Sequence, residues 1–326
     1  MKSSCISEYP FIPIGNQDLP HRLGPSLVDL RCGCKSTPHV NCVIFVVHAI
    51  GTTKAQLMKA EALFRETLRS VKTDCFSGRA CEVHVEVIDW KMTVQAEQTD
   101  ILRKIKPHSH RICNKLRDTL NNAASDLIYY STPLKKQALI SDVTEKLNKA
   151  YSKLLESDPE RFRDAKIAIL GFSLGSLIVY DILSSDSKVP LVFHVHSVFT
   201  LGSPLAAYLS IQNADDSNFD LHKYVNIYHP LDPFAFRLEP FVYGKSFSGK
   251  PATPIPKWIK GRPDLNGCLS LNDEFRGEQN LDFVMQDCPR WFLHQILAGI
   301  SMFNSHGCYW GNHDVALFIL NHLTRN

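Results

Sequence analysis

Gly171-Phe172-Ser173-Leu174-Gly175 flanks one serine with a glycine on each side, two positions away. A serine hydroxyl is a weak nucleophile near neutral pH. It attacks a carbonyl only when an imidazole takes its proton, and the imidazole needs a carboxylate to orient it. The glycines suit that chemistry. The motif reads as a sharp turn from a strand into a helix, where side chains at 171 and 175 would strike the neighbouring strand and helix. Such a turn lifts the Ser173 hydroxyl to the C-terminal edge of a sheet. It also turns the backbone N–H of Leu174 toward the oxygen of an attacked carbonyl.

The motif sets the order of the other parts: serine, then acid, then histidine. Asp232 follows the apolar run Tyr224–His229, and Pro230 and Pro233 stiffen its loop; a plain turn cap is its alternative role. His306, in Asn304-Ser305-His306-Gly307, lies between the last two helical patterns and is the preferred base. His313 is the rival, although its place at a helix start suits a capping role. His294 sits among Trp291 and Leu297 and reads as a core histidine. A second N–H for the oxyanion is expected from the loop after an early strand. Val46-Val47-His48-Ala49-Ile50-Gly51-Thr52 offers Ala49 or Ile50, with His48 as a candidate to orient the loop; an ordinary strand–helix loop is the alternative.

These residues need a scaffold that alternates strands and helices. Val40–Val47 is a continuous β-branched run, as in a strand buried on both faces. Glu82–Ile88, Lys166–Leu170, Val195–Leu201, Lys223–Tyr228 and Leu281–Gln286 read as further strands. Helical spacing marks 54–71, 134–156, the stretch from Leu174, Trp291–Phe303 and Asp314–Leu323. The alternation predicts an α/β fold of the α/β-hydrolase type, a mostly parallel sheet with helices on both faces. Residues 1–39 read as an irregular arm and 40–326 as a single domain. Tyr243–Asn280, with four prolines between 251 and 263, reads as a basic loop insertion.

With 326 residues the chain is long enough to bury a full core, and 44% hydrophobic with 21% charged residues excludes bulk disorder. A net charge of +3 is too balanced for a dedicated nucleic-acid binder. No run of 18 apolar residues marks a membrane span, and the N-terminus lacks the apolar stretch of a secretory signal. The expected setting is cytoplasmic, with the ten cysteines as reduced thiols. Cys32, Cys34 and Cys42 have poor spacing for zinc.

Several stretches together resemble the DDHD-domain lipases, intracellular phospholipases of the A1 type. They are Asp126–Pro133, the 171–176 turn, Phe199–Pro204, Asn226–Pro240, Leu281–Gln286, His306–Trp310 and Asp314–Ala316. The four residues behind the family's name fall on Asp232, Asp282, His306 and Asp314. The resemblance implies an ester hydrolase for membrane glycerophospholipids, with a phosphatidic-acid preference among the options. Neutral-lipid lipase, carboxylesterase and inactive lipid-binding scaffold are the alternatives. Two departures stand out: Phe172 replaces the family's usual His, which predicts altered packing at the turn, and Ala49 stands where Gly is usual.

The four name-giving residues have also been read as a divalent-metal set. With Asp232 and His306 used by Ser173, no cofactor is expected, and Asp282 and Asp314 become supporting groups around the site. Lys257, Trp258 and Lys260, in a stretch with Lys245, Lys250 and Arg262 and no acidic residue, are expected to touch a phospholipid membrane surface. Arg237 is expected to make an internal ion pair, with a phosphate head group as the alternative partner. The expected partners are a lipid substrate and intracellular membranes met peripherally, with no nucleic acid. Nothing in the sequence bears on oligomeric state.

Overall fold

Val40–Val47 (β1) places Val43, Phe45 and Val47 in one core cluster and Cys42, Ile44 and Val46 in the other. That two-residue period is what a strand buried on both faces imposes. The structure, a computed structural model, describes residues 40–49, 53–76, 81–91, 100, 104, 126–184, 189–213, 223–259, 280–286 and 305–324. The N-terminal arm, Lys260 and the 291–303 helix lie outside the described residues.

Cys81–Ile88 (β2) and Lys166–Phe172 (β3) flank β1. Ser197–Leu201 (β4), Tyr224–Tyr228 (β5), Thr253–Pro254 (β6) and Asp282–Val284 (β7) complete a sheet in the order β2-β1-β3-β4-β5-β7-β6. Every pairing is parallel. The chain steps from β1 outward to β2, crosses back to β3, then moves outward through β4 and β5. Direction therefore reverses between β1 and β3, and a crevice opens beyond the carboxyl ends of strands at such a switch. Ser173 follows β3 and His48-Ala49 follow β1 at that place.

Helices cover both faces. Lys54–Cys75 (α1) starts at a reciprocal cap between Thr53 and Gln56 and buries Leu57, Phe64, Leu68 and Val71. Its face of the sheet is shared by His313–Thr324 (α7). Pro133–Ser157 (α2) and Leu174–Leu183 (α4) pack on the other face; Pro159–Phe162 (α3) is a single turn between α2 and β3. Two short helices, Leu205–Ile211 (α5) and Glu239–Tyr243 (α6), follow β4 and β5. Asp181 near the end of α4 accepts from the Tyr130 hydroxyl and pairs with Lys136 at 2.9 Å, which ties α4 to the start of α2. Tyr130 lies in the Asp126–Pro133 stretch, so part of that motif braces the helix after the serine.

The basic insertion is more structured than its prolines suggest. Thr253–Pro254 pairs with β7 at the sheet edge, where a proline is tolerated. Ile255 is fully buried, and its N–H bonds the Val284 carbonyl at 2.9 Å. The described part of the expected loop thus lends two residues to the edge of the sheet and is otherwise mostly irregular. β7 in turn is shorter than the sequence suggests, three residues.

Candidate active site

β3 runs straight into the turn at Ser173. Its φ of +52° and ψ of −120° are values that L-residues rarely adopt, a cost of about 1–3 kcal/mol that surrounding structure must offset. Ser173 N–H donates to the Leu201 carbonyl at 3.0 Å, and Ser176 N–H donates to the Ser173 carbonyl at 3.0 Å. The Ser176 hydroxyl donates to the same carbonyl. Both flanking glycines are sterically required. A Cβ on Gly171 would lie 2.6 Å from Ser176 Cα, and one on Gly175 would lie 2.0 Å from the Val47 carbonyl oxygen. Leu174, buried, opens α4, so its N–H belongs to the unpaired first turn of that helix.

The loop after β5 and the turn at 305–310 meet at Asp232. His306 Nδ1 lies 2.9 and 3.0 Å from the two carboxylate oxygens and, since a carboxylate only accepts, carries the proton. Tyr309 OH donates to Asp232 Oδ2 at 2.6 Å and accepts the His229 N–H at 3.0 Å. Phe234 N–H donates to Asp232 Oδ1 at 2.9 Å. Ser305 Oγ donates to the Leu231 carbonyl at 2.9 Å. One helical turn thus carries the imidazole and clamps the carboxylate. Burial alone would raise the pKa of Asp232, but the bond and charge of His306, with the Tyr309 and Phe234 donors, outweigh it and hold the carboxyl below its usual range. Burial, and then the Asp232 charge, push the Cys308 thiol up to about 12, so it stays protonated at neutral pH.

Phe172, immediately before Ser173, links the turn to the imidazole. Its ring stacks on His306 at 4.9 Å and meets Trp310 edge-on at 5.1 Å. The departure at 172 therefore stacks an aromatic ring against the imidazole. Phe234 closes another side of the imidazole at 4.8 Å. The Ser173 hydroxyl makes no hydrogen bond among the described residues. His313 stacks on Trp258 at 4.3 Å instead of joining Asp232.

Asp282 is fully buried at the start of β7. Its oxygens accept from Arg237 Nε at 3.0 Å, Asn226 Nδ2 at 2.9 Å, Leu238 N–H at 2.9 Å and Glu239 N–H at 3.1 Å. Glu239 answers by accepting the N–H groups of Leu281 and Asp282, and Arg237 Nη2 pairs with it at 2.7 Å. Arg237 thus spends its guanidinium on internal pairs. This carboxylate pair shapes the loop that carries Asp232. Asp314 accepts the Trp258 N–H at 2.5 Å and so fastens the basic stretch to α7. The proposed metal set does not gather: among the described residues no three His, Cys, Asp or Glu side chains come together to hold an ion. Of the expected lipid contacts, Lys257 is exposed, whereas Trp258 packs partly against the core and Lys260 is not described. Ile259, beside Trp258, is exposed.

Three residues that the sequence did not single out matter here. Tyr309 clamps the acid. Gly202, at φ +55°, leaves room for it: a Cβ there would lie 2.6 Å from Asp232 Oδ2 and 3.2 Å from His306 Nδ1. Trp90, at the end of β2, bonds the backbone after β1. Gly202 and Tyr309 both stand inside quoted motifs, so their signal was present without a role attached.

A parallel sheet with helices on both faces, a strained serine turn after β3 and an acid–imidazole pair after β5 make this an α/β-hydrolase fold. Comparison with known proteins finds a partial match to one family. Residues 191–278 match the DDHD domain; of the four name-giving residues only Asp232 falls within them. The chain is 27% identical to phospholipase DDHD1 of Homo sapiens over 271 residues, covering 61% of this chain and 29% of the relative. It is 31% identical over 201 residues to a probable mitochondrial phospholipase of Saccharomyces cerevisiae, covering 54% and 28%. With the intracellular phospholipase A1 of Caenorhabditis elegans the identity is 23% over 268 residues, covering 62% and 31%. The chain has a match to the DDHD domain and is homologous to these phospholipases at modest identity over about 60% of its length. It spans less than a third of the length of each of these three relatives. No solved structure matches it. No helix among the described residues is long and apolar enough to cross a membrane.

Proposed function

We propose that this chain is a serine hydrolase that cleaves an acyl ester of membrane glycerophospholipids. The observation that carries the reading is the Asp232–His306 hydrogen bond, with the same imidazole stacked on the residue before Ser173. Ser173 Oγ attacks the ester carbonyl while His306 Nε2 takes its proton, and Asp232 stabilises the imidazolium through Nδ1–H. The N–H groups of Leu174 and Ala49 hold the oxyanion. The tetrahedral intermediate collapses as His306 protonates the departing lysolipid oxygen. Water then attacks the acyl-enzyme, activated by the same imidazole, and releases a fatty acid. The scheme uses no cofactor. Phospholipid as substrate and the A1 position rest on the names of the relatives, and phosphatidic acid is one head group among the options the resemblance leaves.

The test is labelling of the purified protein with a fluorophosphonate, which needs an activated serine and no substrate guess. Label mapped to Ser173 and lost in Ser173→Ala is the expected result. A folded protein that binds vesicles without labelling would overturn the reading in favour of a lipid-binding scaffold.

Membrane contact is proposed for the basic stretch, in which Lys245, Lys250, Lys257 and Ile259 are exposed. Each basic residue near an anionic surface contributes about 1 kcal/mol. Lys245→Glu with Lys257→Glu is expected to weaken binding to phosphatidylserine-containing vesicles by at least about tenfold at low salt. Unchanged binding in a sedimentation assay would remove this stretch from the membrane contact.

A further inference from the structure

The backbone after β1 is held by side chains as firmly as the serine turn is. Val47 pairs with Ile88 in the parallel register, so Trp90, two residues past β2, stands beside Ala49. Trp90 is almost fully buried, and its indole N–H donates to the His48 carbonyl at 3.1 Å. The indole also stacks on the His48 imidazole, 5.1 Å between centroids and 13° from parallel. His48 is itself buried, and its Nδ1 lies 2.9 Å from the Ala49 carbonyl oxygen. A carbonyl only accepts, so Nδ1 carries the proton. From the other side α4 presses on the same backbone: a Cβ on Gly175 would lie 2.9 Å from the His48 carbonyl oxygen.

Two successive carbonyls, of His48 and Ala49, therefore have fixed directions. In a trans peptide the N–H points opposite to the C=O of the same unit, and no described peptide is cis. Holding the His48 carbonyl sets the direction of the Ala49 N–H. An oxyanion donor is useful only when aimed before charge develops. A buried indole N–H needs an acceptor, and here the acceptor is the irregular backbone after β1.

We infer that Trp90 is a positioning residue for the oxyanion loop, acting through the His48 carbonyl and seconded by the His48 imidazole. The inference rests on the proposed serine-hydrolase reading and adds to it the part that aims the second donor. It also offers a reason why Ala can stand at 49: the peptide plane is set from β2 and from His48, so the residue at 49 needs no special backbone freedom.

Trp90→Phe keeps an aromatic ring against His48 and removes only the N–H. The assay is turnover of a phospholipid with a reporter acyl chain in mixed micelles, read beside fluorophosphonate labelling rate and thermal unfolding. The expected result is kcat lower by about 10- to 100-fold, KM within about twofold, and a labelling rate that falls in step with kcat. Leu68→Ala, a core truncation on α1, serves as the stability control and is expected to lower the unfolding midpoint with kcat unchanged. Wild-type kcat in folded Trp90→Phe overturns the inference. So does a loss of kcat no greater than Leu68→Ala shows at the same drop in midpoint. Wild-type protein that neither labels nor turns over overturns the hydrolase reading itself, a result distinct from either.

Discussion

Asp232→Asn lowers kcat by about 10³- to 10⁴-fold in a protein that still folds. The size of the effect follows from which nitrogen of His306 holds the proton. Asp232 now accepts Nδ1–H, which leaves Nε2 with the lone pair that must take the Ser173 proton. Asn keeps the side-chain volume, and its oxygen can still accept the Phe234 N–H. Its NH₂ then faces Nδ1 and Tyr309, both of which can accept from it. Nδ1 becomes an acceptor, the proton moves to Nε2, and the imidazole presents a donor to Ser173 where a base is needed. Steady-state turnover with a circular-dichroism check of folding measures this; near-normal turnover would remove Asp232 from the role. The wild-type carboxyl also has a signed pH consequence. Its pKa is held below the usual range, so its stabilising contribution is present above the ordinary carboxylate value of about 4 and is lost as pH falls through the lower folded value. Between pH 5 and 8 that contribution is constant, and activity losses in that range do not come from Asp232.

Much of the scaffold could be read from the chain because its signals are local. β1 is a β-branched run, α2 shows helical periodicity over 25 residues, and the serine turn needs two glycines whose clashes can be foreseen from the motif. The middle strands came out within two residues of their apolar runs. What was hidden depends on residues distant in sequence. The order β2-β1-β3, which makes the crevice, has no local signature. Asp282 looks anomalous inside a strand until Arg237, Asn226 and the Leu238 and Glu239 amides, 43 to 56 positions away, are seen to surround it. Tyr309 reads as one more aromatic because its partner Asp232 is 77 residues earlier. The prolines of the basic stretch argued for a loop. Its described part is mostly irregular, and Thr253–Pro254 within it adds a two-residue strand at the sheet edge, where a missing N–H is tolerated. For the candidate site, the chain order of serine, acid and histidine narrowed the choice to named residues. It took the fold to show that His306, and not His313, bonds Asp232.

Two glycines in this site are expected to fail in opposite ways when given one methyl group. Gly175→Ala would drive a Cβ to 2.0 Å from the Val47 carbonyl oxygen and 2.9 Å from that of His48. Both obstacles are backbone at the end of β1, and the helix that carries Gly175 is packed in the core, so neither side yields without displacing the core. Loss of stability upwards of about 3 kcal/mol is expected, read as a lower denaturant midpoint or as protein recovered only from the insoluble fraction. Gly202→Ala meets something softer: Asp232 Oδ2 at 2.6 Å, the Tyr309 ring at 3.0 Å and His306 Nδ1 at 3.2 Å. Its positive φ adds about 1–2 kcal/mol, which a domain of this size can absorb. The methyl group must instead push the carboxylate away from the imidazole, and misplacement by about 1 Å costs on the order of 10²-fold in rate. Gly202→Ala should therefore be recovered folded and slow, and Gly175→Ala should be recovered poorly or not at all. A folded Gly202→Ala protein with unchanged kcat would mean that Asp232 and His306 do not need their present spacing. The role assigned to that pair would then fall with it, whatever Gly175→Ala does to the fold.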